Sequence, residues 1–446
     1  MRSKKESAAP SVEPSPTLAE RAAELQADAA FEKHPSVKRV HEIIDEAHRI
    51  ADDAEKLRTN RTALMDLSLV EKRAFFEEVM KVKDMALSAR RVAQSELEKL
   101  APMEQIHSTA VSLENELTGK KKHPNEDAFC ADDKSGVYGV FDGMGGYEGS
   151  EKAAKAGADF FQKHGRELLG LDLEHAKQAL QNLFNEAGGE VKRERGRKEM
   201  YTTASVVKIW EGDGKRKALV ANAGDSRVCV LRKNGDLETV TIDHTPVLDT
   251  IELQWGDMEK NTALRFQNIL DKISPPRNWE LRFRRGDILE KKDLRDMGLN
   301  KEDIDFVEDH GFSAEILAYF FDPEKARNTV TNDLENATET TTDIIEVDLE
   351  EGDEIFIMSD GPSDNLPHKI MRSIAGGRYD EVEDEEIRDA LKPEMEPAEA
   401  LAVAGRVFAR REDLKTEERP KRDDMTVVHV RPQGAIKEKP SAIEAA

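Results

Sequence analysis

The apolar residues of this chain change their spacing once, between Leu100 and Ile106, and the change divides it into two kinds of structure. Upstream, Val37, Val40, Ile44, Ala47, Ala51 and Ala54 recur at steps of three and four, as do Phe75, Val79, Val82, Ala86, Ala89, Ala93 and, after a step of seven, Leu100. Such steps trace one face of an α-helix. Ser68 and Glu71 form a capping box at the start of the second run, Pro102 stops it, and a polar connection near Thr59-Asn60 separates the two. Residues 36–102 are therefore expected to be a helical hairpin, an accessory region. Its alanine-rich seam suits close packing of the pair, self-association or partner binding. Residues 1–35, rich in Ala, Glu, Ser and Pro, are expected to be a disordered tail. At most they hold a short helix capped at Thr17, with Glu20 in capping-box spacing.

Downstream the pattern becomes one of short strands: 106–113, 128–131, 137–141, 202–209, 218–223, 227–231, 237–242, 344–349, 354–358 and 425–430. Asn234-Gly235 signals a tight hairpin, and Gly352-Asp353 is expected to join its two flanking strands in the same way. Helical blocks at 150–169, 173–193, 368–375 and 397–411 alternate with these runs. Hairpins with grouped helices predict an α+β fold of antiparallel sheets covered by helices. Residues from about 246 to 326 are polar, charged and weakly periodic, and read as an insertion; residues 433–446 read as a C-terminal tail.

Chemistry concentrates where apolar strands run into carboxylates. Asn125-Glu126-Asp127, Phe141-Asp142-Gly143-Met144-Gly145-Gly146, Ser359-Asp360-Gly361 and Asp423-Asp424-Met425-Thr426 share this grammar. A strand places its terminal carboxylate rigidly, and an adjacent glycine brings backbone close to the same point. Carboxylates that converge repel one another, and a hard divalent cation with oxygen ligands relieves the conflict. Such a donor set selects magnesium, manganese or calcium over zinc.

The formal net charge of −24 argues against nucleic acid and anionic membranes as partners, since both are polyanions. Cys130 and Cys229 lie in apolar runs outside any C-x-x-C pair and are expected to be buried thiols. No run of 18 apolar residues and no signal-peptide pattern occurs, so a cytoplasmic location is expected.

Taken in order, these motifs resemble the type 2C family of metal-dependent protein serine/threonine phosphatases, in its bacterial form, over residues 105–432. Thr202-Thr203, Gly224-Asp225-Ser226-Arg227, Asp243-His244, Asn328-Thr329-Val330-Thr331 and Asp364 extend the match. The resemblance implies two antiparallel β-sheets packed as a sandwich and flanked by helices (α-β-β-α), following the N-terminal hairpin. It implies two Mg2+ or Mn2+ ions with a third possible, and attack of metal-activated water on phosphoserine or phosphothreonine of a protein substrate. Asp142 would bridge two ions, Gly143 would offer its carbonyl, Asp360 and Asp423 would complete a shell, and Glu126 would orient water. Asp225 and Asp364 match the third-metal positions.

Some positions depart from the pattern. Lys122 stands where the family carries a phosphate-binding arginine and supplies a point charge without the bidentate grip. Met144 replaces a histidine of animal and plant relatives, and Tyr201 replaces a glycine. Pro362 replaces an aliphatic residue and is expected to shift the loop holding Asp364. The 246–326 insertion falls at the family's flap and looks enlarged; its Arg277, Arg282, Arg284 and Arg285 could receive an acidic phosphosubstrate or equally form a solvated basic face. Two other readings share the fold: a pseudophosphatase scaffold, which would lack metal aspartates, and a phosphatase of a small phosphorylated metabolite.

Overall fold

The computed structural model describes residues 17–30, 35–59, 68–100, 103, 106–114, 124–144, 149–195, 200–245, 260–273, 290–310, 330–336, 342–411 and 423–433. Lys122, Pro102, Gly145, Gly146, Asn328, Thr329 and the four insertion arginines lie outside them. The chain divides into two compact units, Met1–Pro102 and Met103–Ala446.

In the first unit the expected pair of helices is a trio. The short helix allowed for at Thr17 is α1 (Leu18–Asp28), which joins α2 (Val37–Thr59) and α3 (Leu69–Leu100). Thr17 and Glu20 form the full capping box, worth about 1 kcal/mol. Arg21 then ties α1 to Glu46 of α2 at 2.7 Å, a contact that no local pattern announces. Ala22 and Leu25 are buried together with Val40, Ile44, Ala47 and Ala54 of α2 and Val79, Val82, Ala86, Ala89 and Ala93 of α3. The alanine seam is thus consumed within the chain, and self-association would need another face.

In the second unit, β1 (Ile106–Leu113), β10 (Met425–Pro432), β9 (Glu354–Met358), β6 (Arg227–Leu231) and β7 (Leu237–Thr239) form one five-stranded sheet in that order. The other runs β2 (Asp127–Asp132), β3 (Val137–Asp142), β4 (Ala204–Gly212), β5 (Lys215–Ala223) and β8 (Asp343–Leu349). Every pairing is antiparallel. Strand residues alternate between faces. Val140, Val207 and Val220 accordingly meet Val230, Ile357 and Val428 in an apolar layer between the sheets. On one outer face Phe141 packs with Phe161 of α4 (Ser150–His164) and Phe184 of α5 (Leu173–Arg195). On the other, further along the chain, Phe356 and Val427 share a cluster with Ile374 and Leu401.

The insertion contains three described helices, α6 (Lys260–Lys272), α7 (Lys291–Asp296) and α8 (Lys301–His310). Beyond β9 come α9 (Asp360–Asn365), α10 (His368–Ala375), α11 (Glu385–Ala390) and α12 (Pro397–Ala409). Ile374 and Leu401 above belong to α10 and α12.

Two strand expectations need correction. Asn234-Gly235 does close the β6–β7 hairpin, with Gly235 at φ +86°. Gly352-Asp353 closes none: β8 and β9 belong to different sheets, and the turn carries the chain across the sandwich. The strand expected over 237–242 ends at Thr239, where the Asn268 side chain takes the edge hydrogen bonds. Cys130 and Cys229 are both buried and form no disulfide. Among the described residues no helix is long and apolar enough to cross a membrane.

Candidate active site

Asp142 is the last residue of β3, a strand buried along its whole length. Its backbone is held from both sides. The N–H donates to Thr203 Oγ1 at 3.2 Å, while the carbonyl accepts from Thr203 N–H at 2.8 Å and Thr202 Oγ1 at 2.9 Å. The paired threonines thus position the strand end. Gly143 follows, and its N–H donates to the Glu126 carbonyl at 3.1 Å. A Cβ at Gly143 would sit 2.6 Å from the Glu126 and Ser150 carbonyl oxygens, so only glycine permits this approach. Met144 continues the pairing, donating its N–H to the Tyr201 carbonyl at 3.0 Å.

Glu126 joins the two sheets. It precedes β2, and its N–H donates to Oδ2 of Asp424, which precedes β10 of the other sheet, at 2.7 Å. Asp424 N–H in turn donates to Asp423 Oδ1 at 2.9 Å. The Asp360-Gly361 turn presses against this segment: a Cβ at Gly361 would lie 2.0 Å from the Asp424 carbonyl oxygen. Ser359 and Thr426 lock the two together through reciprocal bonds of 3.1 Å. Asp360 opens α9 and is buried. Asp364, one turn later on the same helix, is half-buried. Pro362 occupies the first turn of α9, where a backbone N–H has no helical partner to lose.

Asp225 reaches the same neighbourhood through its flanks. Ser226 Oγ bonds Thr203 Oγ1 at 2.7 Å, and Gly224, at φ +111°, leans directly on the Thr203 side chain.

The electrostatics are one-sided. Burial first, then the carboxylates of Asp424, Asp423 and Glu151, push Glu126 up from its ordinary 4.5 to about 7. Asp127 is also pushed up to about 7, by burial and then by Asp423 and Asp424. Side-chain hydrogen bonds from Thr426 and Ser359 oppose this shift. Asp127, Glu151 and Asp424 were not singled out from the sequence as site residues. Asp424 stood in view beside Asp423, but which of two adjacent aspartates faces Glu126 is a tertiary fact. Glu151 had no signal, since acidic residues are common in a first helical turn.

Among the described residues, no group of three or more Asp, Glu, His or Cys side chains is arranged to hold a metal ion. The chemistry present nonetheless fits a hard divalent cation: the donors are carboxylate and carbonyl oxygens, and the carboxylates repel one another. Lys122 and the arginines expected to receive phosphate lie outside the described residues.

Residues 102–250, about a third of the chain, match a family model described as protein phosphatase 2C. No match was found among curated protein sequences. Several solved structures are similar. One is the serine/threonine phosphatase PstP/Ppp of Mycobacterium tuberculosis, at 17% identity and TM-score 0.43, covering 74% of this chain and 99% of that one. Another is Stp1 of Staphylococcus aureus, at 16% identity and TM-score 0.45, covering 74% and 96%. A third, the catalytic domain of PstP in complex with two manganese ions, is 18% identical with a TM-score of 0.41, covering 74% of this chain and 99% of that one.

Proposed function

We propose, on the premise that residues 102–250 belong to the protein phosphatase 2C family, that the chain is a metal-dependent phosphatase of phosphoserine and phosphothreonine in proteins. The observation that supports this reading is the bond from Glu126 N–H to Asp424 Oδ2, which brings the Asp423-Asp424 segment of one sheet beside Glu126 of the other. Asp142, Gly143, Glu126, Asp360 and Asp423 are the residues proposed to hold two magnesium or manganese ions, with Asp225 and Asp364 proposed for a third. Such ions, when bound, supply the positive charge that draws a phosphoryl group and acidifies water. The protein's own part is positional. Thr202 and Thr203 fix the Asp142 backbone, and Gly143 and Gly361 let main chain close on Glu126 and Asp424. Glu126, protonated to about pH 7 without a cation, becomes a hydrogen-bond acceptor for water once it ionises. Lys122 is proposed to attract the phosphate as a point charge.

The test is hydrolysis of phosphoserine, phosphothreonine and phosphotyrosine peptides side by side, with and without manganese or magnesium. The first two should be hydrolysed only with metal, and Asp142→Asn should abolish turnover with the fold intact. Metal-independent turnover, no turnover, or an active Asp142→Asn protein would overturn the reading. Hydrolysis of small phosphoesters alone would point to a metabolite phosphatase.

A further inference from the structure

We propose that helix α6 of the insertion is a positioning element for the Gly224-Asp225 turn, acting through Gln267, Asp243 and His244. The inference rests on the reading above for its relevance to metal, but not for its geometry.

Gln267 is buried and grips one residue twice. Asp243 N–H donates to Gln267 Oε1 at 2.8 Å, and Gln267 Nε2 donates to Asp243 Oδ1 at 3.0 Å. The same Asp243 carboxylate receives the buried Arg227, whose Nε lies 3.1 and 3.0 Å from the two oxygens and whose Nη2 lies 2.5 Å from Oδ2. Main chain and side chain of Asp243 are both fixed, so the next residue is fixed too. His244 holds both polar groups of Gly224: its N–H donates to the Gly224 carbonyl at 3.0 Å, and its Nδ1 accepts the Gly224 N–H at 3.0 Å. Gly224 is the residue before Asp225, and it rests against Thr203, which holds Asp142. A single run of contacts therefore leads from the insertion helix to two of the proposed metal aspartates.

The adjacent residue provides an internal contrast. Asn268 pairs with the edge of β7, accepting from Thr239 N–H at 3.1 Å and donating to the Thr239 carbonyl at 2.9 Å. Those bonds dock α6 and cap the edge of β7 at Thr239, which pairs with Cys229 of β6 and not with Gly224 or Asp225. Phe266, Ile269 and Leu270 bury the apolar face of α6 in either case. Docking and positioning are thus assigned to neighbouring amides.

The experiment compares Gln267→Leu, Gln267→Ala and Asn268→Leu in the full chain. It reads hydrogen exchange of the Gly224 amide and manganese binding by electron paramagnetic resonance, neither of which needs turnover. Both Gln267 variants should speed Gly224 exchange at least tenfold and require several-fold more manganese for half-saturation. Asn268→Leu should speed exchange within α6 while leaving Gly224 within about twofold of the parent. Equal acceleration of Gly224 in all three variants would mean general loosening and overturn the proposal, as would unchanged Gly224 exchange or an unchanged manganese isotherm in the Gln267 variants. A parent protein without phosphatase activity would defeat the functional reading alone and leave these outcomes interpretable.

Discussion

The Glu126 amide donates to Asp424 Oδ2 at 2.7 Å, so residues 298 positions apart share the hydrogen bond that closes one sheet's rim onto the other's. Asp424 does this at an electrostatic cost, since its charge is the largest acidic influence on Glu126. The two effects separate by mutation. In metal-free protein at pH 7, Asp424→Ala should lose about 1–3 kcal/mol, the penalty for stranding a donor. Asp424→Asn keeps an acceptor and removes the charge, and should match or exceed the parent. Denaturant unfolding in chelator measures both, and an Asn variant as unstable as the Ala variant would refute the division.

Glu126 also sets a pH dependence whose sign follows from its raised value. Without metal, the folded chain holds a proton on Glu126 up to about pH 7, whereas the unfolded chain releases it near 4.5. Between those values the folded state binds more protons, so the contribution of Glu126 to metal-free stability should fall as pH rises and be gone above 7. Cation binding displaces that proton and should tighten as pH climbs through 7. Glu126→Gln should reduce the slope over this window by about half, since Asp127, also pushed up to about 7, keeps its own share. Calorimetry of the parent in buffers of different ionisation heat should detect proton release on manganese binding near pH 6.

Much of this architecture was legible because it is written locally. Asn234-Gly235 announces its hairpin through turn chemistry alone, and each strand that ends on an aspartate announces a rigid carboxylate. What was not legible depends on distance. A Gly-Asp turn looks the same whether the next strand joins the same sheet or the opposite one, and Gly352-Asp353 is of the second kind. The helix within the expected tail has a capping box, but its persistence rests on Arg21 meeting Glu46 and on two buried apolar residues. The weakly periodic insertion hides α6, whose Gln267 and Asn268 are polar residues doing interior work that a hydrophobic pattern cannot register.

Close approach at Gly361 is open to a direct test. A Cβ there would lie 2.0 Å from the Asp424 carbonyl oxygen, and neither backbone segment can yield while Ser359 and Thr426 hold them together. Gly361→Ala should therefore cost about 3 kcal/mol or more, beyond the usual range for an overpacked site. Gly189→Ala is the matched comparison. Gly189 lies inside α5, its Cβ would meet nothing nearer than Arg193 at 3.8 Å, and the change should stabilise by about 0.5–1 kcal/mol. Thermal unfolding of the pair checks both, and a benign Gly361→Ala would show that the two segments are not pressed together.

Lys208 supplies the clearest pH signature away from the acidic rim. It lies on β4, wholly buried, with Nζ donating to the Ser135 carbonyl at 2.5 Å. Burial lowers it from 10.5 to about 7, opposed by Glu211 and Asp132. Below about pH 7 the lysine is charged in both folded and unfolded chains, and folding bears the whole cost of burying that charge. Between about 7 and 10.5 the unfolded chain carries a proton that the folded one lacks, so stability should rise with pH, by up to about 1.4 kcal/mol per pH unit. Above that range the lysine is neutral in both states and the cost is gone. Lys208→Met removes the charge and leaves Ser135 without its donor, a loss of about 1 kcal/mol that does not vary with pH. The variant should therefore gain most over the parent at pH 7 and lose that advantage steadily towards pH 10.5. Unfolding curves across this range decide the matter: parallel pH profiles for parent and variant would mean that Lys208 keeps its proton inside the folded protein.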